Sequence, residues 1–153
     1  MATPRSFHTQ AYVDEVVQRL GNVHANSVRI WGTMTPHEML CHVGDSFSAM
    51  LGDRPASMTD TLLSRTVVRW IALHTSLPWP KGVRTRPEVD PKRDGSKPVE
   101  FESDRARTIQ LLRRFASPDA RCVPHPIFGP LTRDEWLVWG YRHVDHHLRQ
   151  FGH

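Results

Sequence analysis

Near the start of the chain, apolar residues recur with the period of an α-helix: Val13, Val16, Val17 and Leu20 fall at i, i+3, i+4 and i+7, and Gly21 follows as a stop. This spacing predicts a first helix over residues 9–20. Thr35-Pro36-His37-Glu38 then offers an N-cap hydroxyl, a proline at the first helical position and a glutamate three residues after the cap. The helix it opens carries Met39, Leu40, Val43, Phe47 and Met50 and runs to Gly52. A third helix is predicted over residues 60–74, where Leu63, Val67, Trp70, Ile71 and Leu73 form a broad apolar face. A fourth, over residues 100–116, places Ile109, Leu112 and Phe115 on one stripe, with Pro118 beyond its end. Thr132-Arg133-Asp134-Glu135 repeats the capping-box pattern, and the helix it opens extends to about Phe151.

Residues 77–98 are rich in Pro, Gly, Lys, Arg and Asp and show little periodicity, which predicts a long ordered loop of the kind that borders functional sites. A shorter loop, residues 122–130, precedes the last helix. With five helical segments, no alternating strand pattern and no internal repeat, the expected fold is all-α. Four long helices would form the core of a single domain over residues 1–153, with one short accessory helix.

Composition narrows the class. At 153 residues, 39% apolar and 24% charged, the chain is long enough to bury one core without disulfides. Cys41 and Cys122 form no CxxC pair and read as small buried side chains in a reducing compartment. No apolar run follows Arg5, and no stretch approaches the roughly 18 residues of a membrane span, so a cytoplasmic location is expected. The net charge of +4 concentrates locally at Arg84, Arg86, Lys92 and Arg93. That loop could meet phosphates, but no aromatic-interleaved basic motif accompanies it, and a solvated surface is the simpler reading.

The ten histidines change the picture more than the charge does. On the last helix Trp136, Gly140, His143 and His147 share one face, while Arg142, Asp145 and Arg149 lie on the other and His146 lies off the line. Two imidazoles at i and i+4 project from successive turns and can chelate one ion. His42, aligned with Met39 and Ser46 and flanked by Val43 and Phe47, faces inward from the second helix. Three neutral histidines from two helices make a site for a divalent ion such as zinc or nickel, with open positions for water or substrate. Such an ion would acidify a bound water or thiol. Asp45, Ser46, Gln150 and Glu38 are the candidates to orient the imidazoles. His125 and His146 are weak candidates for acid–base catalysis, and Trp31, Trp136, Trp139 and Phe128 for the walls of an apolar pocket.

His37-Glu38-Met39-Leu40-Cys41 follows the metalloprotease helix signature until its last position, where cysteine replaces histidine. Helix capping gives a sufficient reason for Glu38, and a structural role is expected for it and His37.

The segment Trp31 to Ser46, with Met34-Thr35-Pro36, Met39-Leu40 and His42-Val43-Gly44-Asp45-Ser46, resembles the second helix of the DinB/YfiT-like superfamily. His125-Pro126-Ile127-Phe128-Gly129-Pro130-Leu131-Thr132, Glu135-Trp136 and the run from Tyr141 to Phe151 resemble a largely uncharacterised branch of it. The resemblance implies an up-down-down-up four-helix bundle, a metal held by His42, His143 and His147, and a homodimer. In that superfamily, characterised members include metal-dependent transferases and isomerases that use low-molecular-weight thiols, alongside proposed hydrolases. The chain departs from the better-known members in its long Pro-rich loop and in ending at His153. The leading expectation is therefore a metal-dependent transferase or hydrolase of a small molecule. A non-catalytic metal- or ligand-binding bundle comes second and a nucleic-acid accessory protein third.

Overall fold

A computed structural model describes residues 4–153 and resolves five α-helices: α1 (Gln10–Gly21), α2 (Pro36–Met50), α3 (Arg69–His74), α4 (Phe101–Ala116) and α5 (Arg133–Arg149). Among the described residues there is no strand, only an isolated bridge pairing His125 with Gly129. The all-helical expectation holds, and the ends of α1, α2, α4 and α5 lie close to those predicted.

Both capping boxes form. Thr35 accepts from the Glu38 N–H at 3.1 Å while the Glu38 carboxylate accepts from the Thr35 N–H at 2.8 Å. Thr132 and Glu135 repeat the exchange at α5. At α4 the Glu100 carboxylate caps instead, accepting from the N–H groups of Glu102 and Ser103.

The long helices α1, α2, α4 and α5 pack on one another around a continuous hydrophobic cluster. Fully buried Leu20, Phe47, Leu112, Phe115 and Leu148 lie at its centre, each worth about 1.5–3 kcal/mol of transfer free energy. Two glycines set the closest approaches. A Cβ at Gly44 would fall 2.8 Å from Thr108 Oγ1, so α2 and α4 touch there, and the Thr108 hydroxyl donates to the Leu40 carbonyl across the contact at 2.8 Å. A Cβ at Gly140 would fall 2.5 Å from the Phe115 ring. As a result α2 is buried on every side from Met39 to Met50, and its polar side chains sit in the interior.

The third helical segment departs from expectation. A π-helical turn (Ser64–Val68) leads directly into α3, and only Leu73 of its apolar face is buried. Leu63, Val67 and Trp70 are 63%, 52% and 55% exposed. Helical periodicity reports that a stripe exists, not what covers it. Here α3 is held largely by polar contacts, Arg69 Nε donating to Glu135 Oε1 at 2.7 Å and Arg69 Nη1 to the Pro130 carbonyl at 3.0 Å.

The predicted long loop is ordered, with a 3₁₀ turn at Pro87–Val89 packed on α2. Buried Asp45 ties it down. Its carboxylate accepts from the Ser96 N–H at 2.6 Å and the Ser96 hydroxyl at 2.8 Å, and from Arg54 and Arg107. Arg54 in turn donates to the carbonyls of Glu88 and Asp94. Two cations of the basic stretch are used internally: Arg86 donates to Thr59, and Lys92 to the Thr33 carbonyl. Cys41 is buried as expected, but Cys122 is only half-buried, and both are free thiols.

Candidate metal centre

His42 reaches the interior because α2 is enclosed, and His143 and His147 because the i, i+4 face of α5 points at α2. All three are less than a tenth exposed. One ligand nitrogen from each lies within 4.8 Å of those of the other two. The convergence expected of these three residues is thus present in the fold.

Hydrogen bonding fixes two of the tautomers. His42 Nδ1 lies 2.8 Å from the Val89 carbonyl, which can only accept, so the proton is on Nδ1. His147 Nδ1 lies 2.9 Å from Gln150 Oε1 and, with the Gln150 carboxamide in this orientation, is a donor as well. Each neutral ring then presents a lone pair at Nε2, and these two atoms are 3.0 Å apart. Lone pairs aimed at each other across that distance repel unless a cation lies between them or one ring is protonated. Protonation is disfavoured: burial holds His42 below the ordinary imidazole pKa, and burial followed by the neighbouring imidazoles holds His143 and His147 well below it. The His143 ring makes no hydrogen bond among the described residues, and its Nδ1 is buried without a partner. Its ring stacks on Trp139 at 4.8 Å.

Nitrogen ligands of a tetrahedral zinc ion, each about 2.0–2.1 Å from the metal, lie about 3.3 Å apart. The 3.0 Å separation of the His42 and His147 nitrogens needs only a few tenths of an ångström of adjustment, and His143 offers a nitrogen within 4.8 Å of both. A set of neutral donors, two with outer nitrogens already committed, fits a borderline divalent ion.

Of the four residues expected to orient the imidazoles, only Gln150 does so. Asp45 anchors the long loop, Ser46 donates to the His42 carbonyl at 2.8 Å, and Glu38 closes its capping box. The Val89 carbonyl was not anticipated. A backbone acceptor carries no side-chain signature, and only the position of the loop reveals it.

A cavity of about 430 Å³ opens beside the three histidines. Its walls include Trp79, Trp139, Phe128, Val89, His125 and His146. Two expected wall residues lie elsewhere: Trp136 packs in the core against Phe115, and Trp31 stands outside this cavity, its ring edge against His146. Trp79 takes their place from within the aperiodic loop.

The two candidate acid–base histidines differ in their surroundings. His125 is buried, and its Nδ1 accepts from the N–H groups of Ile127 and Phe128, both at 3.1 Å, while its ring stacks on Phe128. Burial, with Arg86 nearby, lowers its pKa to about 3. It therefore secures the turn before α5 as a neutral ring. His146 lines the cavity and stays half-buried, its pKa lowered by burial, which leaves it the better placed of the two to exchange a proton.

Outside this centre, His37 Nε2 bonds Asp104 Oδ2 at 2.7 Å and its ring meets Phe101 edge-on. Burial, reinforced by Asp104, pushes the Cys41 thiol up to about 12.

Helices around a buried three-histidine centre beside an apolar cavity define the class to which the chain is assigned by structure. Over residues 1–153 it matches, and belongs to, a family described as protein of unknown function, DUF1569. No curated protein and no solved structure matches it.

Proposed function

We propose that the chain is a metal-dependent enzyme acting on a small molecule, a thiol-dependent transferase or a hydrolase, with His42, His143 and His147 holding one zinc or nickel ion. The observation that carries this reading is the 3.0 Å approach of two Nε2 lone pairs whose Nδ1 protons are already committed. The resemblance to the DinB/YfiT-like superfamily supports it, and with it an up-down-down-up order of α1, α2, α4 and α5 and a homodimer.

Bound there, a divalent ion supplies Lewis acidity that lowers the pKa of a water or thiol placed against it. The protein's own residues do the rest. Val89 and Gln150 hold two imidazoles in the donor tautomer, and Trp139 fixes the plane of the third. Trp79, Trp139 and Phe128 exclude water from the apolar cavity and seat a small organic substrate. His146, at the cavity wall, accepts or returns the proton.

The cavity favours catalysis over a purely structural ion, since three protein ligands leave a position open to whatever fills it. The internal engagement of Arg86 and Lys92 gives the nucleic-acid reading no support.

The test is metal titration of untagged protein. Wild type is expected to take up one equivalent of zinc or nickel more than a folded His143→Ala variant. Equal uptake by the two would remove the metal and every catalytic role assigned around it.

A further inference from the structure

A second set of ligand-type side chains lies away from the three-histidine centre. His37 and Cys41 are separated by four residues on α2, so they project from successive turns of one face. Asp104, in the first turn of α4, meets them. One ligand atom from each of the three lies within 4.8 Å of those of the other two. Cys41 is buried, while the side chains of His37 and Asp104 are 22% and 21% exposed. The cluster thus has a closed inner side and an outer side that an ion can reach.

We propose that His37, Cys41 and Asp104 form a second, chemically distinct divalent-metal site that clamps the start of α2 to the start of α4. The donor set differs from the first in charge and softness. One thiolate and one carboxylate neutralise a 2+ ion, with a neutral imidazole as third ligand and water completing a tetrahedron. Thiolate selects zinc, cobalt or cadmium over magnesium or calcium. The 2.7 Å contact between His37 Nε2 and Asp104 Oδ2 is a hydrogen bond in the metal-free protein. Ligand atoms of a tetrahedral site are about 3.3 Å apart or slightly more for sulfur, so the ion replaces the bridging proton with a small opening of the pair. Asp104 is already oriented, because Oδ2 also accepts from the Val99 N–H at 3.0 Å. The clamp acts at the start of the α2–α4 contact, whose closest approach, at Gly44 and Thr108, lies about one turn further along each helix.

The sulfur ligand makes the site separable from the other. Reduced full-length protein titrated with cobalt(II) should develop a sulfur-to-cobalt charge-transfer band in the near ultraviolet, which three imidazoles cannot produce. Cys41→Ser should lose that band and one equivalent of cobalt while keeping the visible bands of the histidine site. His143→Ala should show the reverse, and Cys122→Ser should change neither. Because Cys41 is buried, Asp104→Asn serves as a variant at the solvent edge. It should raise the cobalt concentration that half-saturates the band by tenfold or more. A wild-type protein that saturates with cobalt without the band, or a band that survives in Cys41→Ser, would overturn the proposal while leaving the histidine site to its own test.

Discussion

His125 lines the cavity, but the hydrogen bonds it makes belong to the turn before α5. Its Nδ1 is occupied by two backbone donors, so its proton sits on Nε2 and the ring serves the turn. Replacing it with alanine leaves the Phe128 N–H buried without a partner, at a cost of about 1–3 kcal/mol, with further loss from the missing ring. The pH dependence has a definite sign. The unfolded chain protonates this ring near 6.5, whereas the folded chain resists until about 3. Unfolding therefore takes up a proton throughout that window, and this residue's share of stability is complete above pH 6.5 and declines as pH falls towards 3. The slope is at most about 1.4 kcal/mol per pH unit. Denaturant melts of wild type and His125→Ala should thus show a stability gap that is widest at neutral pH and narrows on acidification. A gap independent of pH would mean that the ring titrates alike in the folded and unfolded chains.

The long loop matters to the metal centre through a chain of contacts that begins at Asp45. This carboxylate holds Ser96 and Arg54, Arg54 holds the Glu88 carbonyl, and the next residue, Val89, supplies the acceptor that fixes His42. Asp45→Ala leaves the Ser96 N–H and the partly exposed guanidinium groups of Arg54 and Arg107 without their acceptor, at a cost of about 1–3 kcal/mol. Loosening of the turn should also weaken zinc binding at the histidine site by about tenfold to a hundredfold, the usual effect of losing a residue that orients a ligand. Isothermal titration of the folded variant checks this, and unchanged affinity would show that Val89 keeps its place without the anchor. The dependence was invisible in the sequence because Asp45 lies far along the chain from Val89 and Ser96, and Val89 acts through its backbone. What could be read was local. Thr35 with Glu38 and Thr132 with Glu135 announce their helices within four residues, and His143 and His147 carry their own spacing. The inward direction of His42 followed from its neighbours Val43 and Phe47. Its partnership with α5, the apolar wall at Trp79 and the π turn before α3 all required the tertiary fold.

An exposed apolar stripe runs along α3 and the turn before it. Leu62, Leu63, Val67, Trp70 and Ile71 are all exposed, and they belong to consecutive turns of one helical segment. A contiguous apolar strip of this kind is suited to an interface. The homodimer proposed above gives it an occupant, because a two-fold axis pairs one patch with itself and needs no second surface. Two copies related in this way would lay their α3 stripes antiparallel, Trp70 of each against the leucines of the other. Arg69 is drawn towards Glu135 on α5, which leaves the stripe free of that charge. A standard interface requires about 800 Å² from each partner, so flanking residues must contribute as well. Light scattering should give the mass of two chains for wild type and of one for Val67→Glu with Trp70→Lys, with zinc uptake unchanged, since neither side chain touches the histidine centre. A wild-type protein that stays at the mass of one chain at the highest attainable concentration would reject the dimer, and the stripe would then have to meet a different macromolecule.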